Sequence, residues 1–442
     1  MTDPGTKRRL LGFWMCTALV VGNMIGSGIY LLPALLAPFG WNAVAGWALT
    51  ISGALALAYV FSQLVRAFPK AGGPYAFTRE AFGPAPAFFV AWSYWVSMWV
   101  GNAAIATGAV SYLSVFFPAI AKTQGLHAII TCVSIWVLTA VNCRGAFLAG
   151  GVQLVTTILK IMPLAVVVVL AFVAVIGDGG ASLAPFEPGD IKLPAVTAAA
   201  TLTLWGLLGI ESATVPAEQV KDPERTIPRA TMIGVAVTGA IYFFACSAVV
   251  LLLPADEVAA SNAPFADFVG VYMGANAGLV LALFAAISGF GALNGWILLQ
   301  GELAYAMARG GVFPAWLGAA SARGVPVRAH VVSSLLLTIV VLMNYAKSMS
   351  ELFTFVVLVS TTATLVMYLA VALAALKLQH ARRIGTSPPF LGLAVLAGLY
   401  ALWTIYGAGG QAVAWGFALI LAGAPVYLFL AWRTRAAAPA GD

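Results

Sequence analysis

Apolar stretches of about twenty residues follow one another from residue 11 to residue 431, and no other feature constrains the fold of this chain so strongly. A helix needs about 20 apolar residues to cross the hydrocarbon core of a bilayer. In that medium every backbone N–H and C=O must find its partner inside a helix or a closed barrel. Twelve such stretches can be placed, near 11–36, 43–65, 86–116, 127–143, 150–177, 195–215, 231–253, 276–302, 329–345, 352–376, 389–407 and 412–431. The intervals between them are too short for a separate soluble domain. Hydrophobic residues fill 62% of the 442 positions and charged residues 8%, more apolar surface than a soluble core could hide. The first stretch is longer than a cleavable signal and holds polar and glycine positions, so it reads as a true span. The expected fold class is an all-α membrane protein with about twelve transmembrane helices.

The basic residues test this map. With the N-terminus inside, Lys7, Arg8, Arg9, Arg66, Lys70, Arg79, Arg144, Lys221, Arg225, Arg229, Arg309, Arg323, Arg328, Lys377, Arg382, Arg383, Arg433 and Arg435 fall in cytoplasmic segments. The outer segments hold Lys122, Lys192 and Lys347. This asymmetry is the positive-inside signature, and it places both termini in the cytoplasm. The net charge of +7 follows from the basic loops and calls for no nucleic acid. Lys160 lies in the middle of the fifth stretch, Glu211 lies well inside the sixth, and Glu302 sits near the end of the eighth. Cys16, Cys132, Cys143 and Cys246 lie in or beside apolar stretches without disulfide or metal spacing. His127, His330 and His380 form no metal pattern either. There is no Walker loop, GxSxG or HExxH, so ATP-driven transport and intramembrane hydrolysis have no support and no cofactor is expected.

Two stretches are interrupted. The first carries GNMIGSGIY (22–30), with Gly22, Gly26 and Gly28, and the sixth carries LWGLLGIESATVP (204–216), with Gly206, Gly209, Glu211 and Pro216. Gly22 and Gly26 form a GxxxG pair, which alone reads as a helix-packing face. The two breaks are five spans apart, however, and a five-span repeat re-enters the membrane inverted. Interrupted helices at matching positions of inverted halves point to a transporter binding site. Unwound backbone is tolerated at that depth where it lines a cavity. Its free N–H groups can receive a carboxylate and its free C=O groups an ammonium, as a zwitterionic amino acid requires.

GNMIGSGIYLLPA (22–34), PKAGGPYAFTREAFGP (69–84), SYWVSMWVGNAA (93–104), LWGLLGIESA (204–213), VKDPERTIPRA (220–230) and NGWILLQGELAYAMARGGVFP (294–314) together resemble the amino acid–polyamine–organocation superfamily. Within it the chain is most similar to the bacterial arginine/agmatine antiporters and their basic amino acid/polyamine relatives. The resemblance runs nearly end to end. It implies discontinuous spans one and six in a five-plus-five inverted repeat, with repeat one over 11–177 and repeat two over 195–376. Two further spans would occupy 389–431, between cytoplasmic termini at 1–10 and 432–442. It also implies alternating access, a bacterial inner-membrane location, a small amino acid or amine as partner beside the lipid bilayer, and a homodimer.

The resemblance also assigns residues. Asn23, Met24, Ile25, Ser27 and Gly28 match the segment that binds the substrate's α-amino and carboxylate groups. Trp205, Leu208 and Gly209 match positions that cap and line the site, and Glu211 matches a glutamate implicated in proton sensing. Tyr94, Ser97, Met98, Asn102 and Ile105 match a substrate-facing set whose steps of three or four put most of them on one helix face. Trp296 matches a tryptophan that packs on the arginine side chain, where a ring face over a cation contributes about 0.5–2 kcal/mol. Ser360 matches a hydroxyl near the guanidinium, and Tyr75 a tyrosine proposed to sense pH on the cytoplasmic side. The chain departs from the arginine exchangers at Ser97, Met98 and Ile105, where the side-chain end of the cargo is measured, and at Lys160. Some proton-coupled relatives and some exchangers carry a lysine at that place, leaning on the broken first helix.

Each residue also has a plainer reading. Glu211 could be a structural acid within the bundle, although an ionisable group inside a span is a functional candidate by default. Lys160 could snorkel to an interface. Trp205 and Trp296 could serve packing or an interfacial belt, and Asn102 could simply bridge helices. The expected function is exchange of a cationic, arginine-like amino acid for its amine or for another amino acid. A proton–amino acid symporter is the nearest alternative. A channel or substrate-sensing receptor is the alternative from another class, lacking here a polar ring or a soluble output domain.

Overall fold

The computed structural model describes residues 11–26, 28–69, 72–144, 146–214, 217, 220–322, 324–385 and 387–437, with side chains described except over 146–158 and 433–437. Among the described residues every regular element is a helix: α1 (Phe13–Met24), α2 (Gly28–Leu36), α3 (Trp41–Ala67), α4 (Pro74–Phe82), α5 (Pro84–Leu113), α6 (Ala119–Lys122), α7 (Leu126–Arg144), α8 (Ala146–Gly177), α9 (Leu193–Gly206), α10 (Pro223–Leu252), α11 (Ala255–Ala260), α12 (Pro264–Met273), α13 (Ala275–Arg309), α14 (Val327–Met343), α15 (Met349–His380), α16 (Pro388–Gly407), α17 (Gly410–Leu421) and α18 (Gly423–Ala437). An isolated parallel bridge joins Leu11 to Val220. Local sequence explains many helix starts. Pro74, Pro84, Pro223, Pro264 and Pro388 open their helices, where a missing N–H costs nothing. A capping box opens α15: Glu351 N donates to Ser348 Oγ at 3.2 Å, and Ser348 N donates to the Glu351 carboxylate at 2.9 Å.

Among the described residues nine helical stretches are long and apolar enough to cross a membrane, or ten when α1 and α2, bent by 47°, are taken as one broken span. Two further helices, α5 with 30 residues and α14 with 17, coincide with the third and ninth apolar stretches. The polar content of α5 has a structural reason. Every residue from Ser93 to Tyr112 is buried, because α5 runs through the middle of the bundle between α13 and α15 and faces little lipid. The outer helices do the reverse: Val169, Phe172, Val173, Ile176, Leu428, Phe429 and Trp432 are exposed, as lipid-facing side chains are.

Some elements differ from the sequence expectation. The interval between the seventh and eighth stretches, to which the sequence assigned no element, holds two short helices, α11 and α12. The last stretch crosses as one unit, Gly410–Trp432, with a one-residue interruption at Ala422 between α17 and α18. There Trp92 Nε1 donates to the Leu419 carbonyl at 2.9 Å and takes the oxygen that residue 423 would use, an insertion that bends helices.

Candidate functional site

The first break starts where α1 runs out of hydrogen bonds. Ile25 N still reaches the Val21 carbonyl at 2.8 Å, Gly26 N reaches only the Met24 carbonyl at 2.9 Å, and α2 begins at Gly28. Side chains from two other helices take the carbonyls of this last turn. Lys160 Nζ on α8 donates to Gly22 O at 3.2 Å, and the Tyr242 hydroxyl on α10 donates to Met24 O at 2.8 Å. Lys160 is 1% exposed. Its own carbonyl accepts from the Tyr30 hydroxyl at 2.7 Å, and the Tyr30 carbonyl accepts from the Tyr112 hydroxyl at 2.8 Å.

The second break follows Gly206, where α9 gives way to a turn and then to a 3-10 segment, Ile210–Ala213, that carries Glu211. Gly209 has φ +107°, a conformation that side chains rarely adopt, and a Cβ there would lie 3.6 Å from Asn23. The two breaks therefore touch. They meet again at Gly28, where a Cβ would fall 1.7 Å from the Trp205 ring, so the edge of the indole abuts the start of α2. Phe353 of α15 backs that indole edge-on at 5.5 Å. Glu211, 1% exposed, accepts from the Tyr368 hydroxyl at 2.7 Å.

Between the breaks lies a cavity of about 50 Å³. Asn23, Met24, Gly26 and Ile29 line it from the first break, and Trp205, Leu208 and Glu211 from the second. Tyr94, Ser97, Met98, Gly101 and Ile105 of α5, Trp296 of α13, and Ser360 and Thr364 of α15 complete the wall. The α5–α15 side is locked together, since Ser360 Oγ donates to the Ser97 carbonyl at 2.8 Å and Ser93 Oγ bonds the Ala363 carbonyl. Among the lining residues there is one carboxylate, and no lysine or arginine. Among the described residues no cluster of His, Cys, Asp and Glu could hold a metal ion.

Residues 11–431 match the sequence profile of the amino acid permease family. The chain belongs to that family. It thus falls within the amino acid–polyamine–organocation superfamily, and as a permease it is a multi-pass transporter rather than an enzyme. It is 35% identical over 351 residues to the cadaverine/lysine antiporter of Escherichia coli (strain K12), covering 77% of each chain. It is 30% identical over 402 residues to a putative arginine/ornithine antiporter of Bacillus subtilis (strain 168), covering 83% of this chain and 84% of that one. The putrescine transporter PotE of Haemophilus influenzae is 29% identical over 434 residues, 97% of this chain and 98% of that one.

In the permease, eleven of the residues singled out from the sequence share the cavity wall: Asn23, Met24, Tyr94, Ser97, Met98, Ile105, Trp205, Leu208, Glu211, Trp296 and Ser360. Others stand beside it. Ile25 is buried in the core, Gly28 underlies Trp205, and Gly209 abuts Asn23. Lys160 braces the first break from behind. Asn102 is turned between helices, its Nδ2 donating to Gln300 Oε1 at 2.7 Å, so this structure places it in a helix bridge and not on the cavity wall. Tyr75 lies away from the cavity on α4, its hydroxyl accepting from Arg79 at 3.1 Å. Ser27 falls outside the described residues. Sequence reasoning passed over Thr364, Tyr368, Tyr242 and Gln300. Thr364 and Tyr368 follow Ser360 at steps of four along α15, a spacing that could have found them. No sequence signal ties Tyr242 to Met24, 218 positions away.

Proposed function

We propose that this permease exchanges a cationic amino acid for an amine or another amino acid by alternating access across the bacterial inner membrane. In this reading the chain has twelve spans with both termini in the cytoplasm. Spans one to five and six to ten form inverted repeats, and spans eleven and twelve lie outside them. The observation that carries the reading is the charge balance of the cavity where the two breaks meet: a buried carboxylate, Glu211, with no basic residue in the described wall. That setting favours a substrate with an extra positive charge. The N-terminus of α2 suits its α-carboxylate and the C-terminal turn of α1 its α-ammonium. Trp296 and Trp205 offer ring faces to the aliphatic and cationic part. The similar antiporters are named for lysine, arginine, ornithine and cadaverine, which fits a cationic cargo. Ser97 and Met98 narrow the end of the site, so a side chain shorter or less polar than arginine's is favoured.

Proton–amino acid symport is the second reading, and the Lys160–Gly22 contact favours it, since a lysine that gave up its proton would hold the first break less strongly. The substrate class is tested by competition. Uptake of labelled lysine into proteoliposomes loaded with unlabelled lysine should be suppressed by arginine, ornithine, cadaverine and putrescine and spared by leucine and glutamate. Equal suppression by leucine would overturn the cationic reading.

A further inference from the structure

Past the cavity, α15 continues through Ser360, Thr364 and Tyr368 to Lys377 and His380, away from the end where Phe353 meets Trp205. The short helix α4 lies across that far end, packed on α5 and α15. The turn leading into it presses on the second break: a Cβ on Gly73 would lie 2.4 Å from Thr214 Oγ1. Thr214 in turn donates to the Glu211 carbonyl at 2.6 Å, closing the segment that carries the carboxylate of the cavity. Phe77 of α4 is fully buried and meets Phe61, which meets Tyr368, the donor to Glu211. The second break is thus covered by α4 at the end of α15 opposite Phe353.

Cations from the end of α15 fasten this cover. Lys377 Nζ stands 4.8 Å from the centroid of the Phe82 ring, at the last residue of α4. Arg383 pairs with the Glu80 carboxylate, donates to the Glu80 carbonyl at 3.4 Å, and holds its guanidinium 5.9 Å from the Phe68 ring at the end of α3. The backbone is bent to bring it there. Arg382 N donates to the Gln379 carbonyl and Arg383 N to the Leu378 carbonyl, both at 2.9 Å, the Schellman pattern that ends a helix on a left-handed residue. Glycine is the usual occupant of that position; here it is Arg382, with φ +55°. Such strain persists where the surrounding contacts over-determine it. A lone exposed ion pair contributes little, but this one is backed by a backbone acceptor and a ring. We propose that α4 is a cover latched by Arg383 on Glu80 and Phe68, and that the latch opens for substrate to leave the cavity at this end. The inference rests on the alternating-access reading above. Gly72 and Gly73, both at positive φ, form the turn on which α4 swings.

Two measurements on the purified permease test the cover. Hydrogen exchange without ligand reports the latch. In Arg383→Gln and in Glu80→Gln the amides of α4 should exchange about fivefold faster, the upper scale of a surface ion pair, with α16 unchanged. The double variant should fall short of the product of the two single effects, because both remove one shared contact. Glu80→Arg combined with Arg383→Glu should recover part of the protection. Release of bound labelled lysine into excess unlabelled lysine reports the gate, and it should quicken by the same factor in the same single variants. Unchanged exchange in α4, an equal acceleration in α16, or a double variant that reaches the full product would overturn the latch. Faster exchange with unchanged release would overturn the gate. A wild type that binds no lysine would overturn the substrate reading instead, and exchange in α4 would still decide the latch.

Discussion

Gly28 has less spare room than Gly26, Gly206 or Gly209, because the Trp205 indole occupies the space where its side chain would be. Overpacking a tight core costs about 1–3 kcal/mol. Gly28→Ala should therefore displace the indole and lower substrate affinity by about tenfold; calorimetry with lysine checks it. Glu211 is the other residue whose surroundings define a task. An amide at this position can still accept from the Tyr368 hydroxyl, so Glu211→Gln should retain the fold and substrate binding. It should flatten the pH dependence of transport if the carboxyl exchanges protons during the cycle, and a pH profile identical to wild type would remove Glu211 from the coupling. Much at this scale was legible. The run of three glycines announced the first break, and a lone carboxylate in a span announced itself. The partners were not: Asn102 reads as a polar residue on a substrate-facing stripe, and only the packing of α5 on α13 shows that Gln300, 198 positions on, holds its amide.

Among the elements, the broken span depends on its neighbours. With its last-turn carbonyls withdrawn from the helix, α1 keeps its position through Lys160 on α8 and Tyr242 on α10. A charged donor is the stronger of the two. If Lys160 is a fixed charge, Lys160→Ala should weaken substrate affinity, and an imposed pH gradient should drive no net uptake into empty liposomes by the wild type. Net accumulation driven by the gradient, abolished in Lys160→Ala, would show instead that Lys160 carries the proton. Long apolar helices were readable because lipid demands hydrophobic residues on their outward faces. Short helices such as α11 and α12 gave no such sign, because they are too brief to show a period. The split between α17 and α18 was hidden for another reason, since its cause is an indole from α5.

For the whole molecule, the family follows from the sequence match, while the direction and coupling of transport depend on how the walls of the cavity move. A cavity of about 50 Å³ is small for a cationic amino acid, so loading requires the walls to part. In an obligatory exchanger the protein returns across the membrane only when loaded, which makes occupancy of the far side a condition of uptake. Reconstituted liposomes test this most directly, by comparing the initial uptake of labelled lysine into empty vesicles and into vesicles loaded with cadaverine, at equal pH on both sides. Obligatory exchange gives rapid uptake into the loaded vesicles and almost none into the empty ones. Equal uptake into both would contradict it.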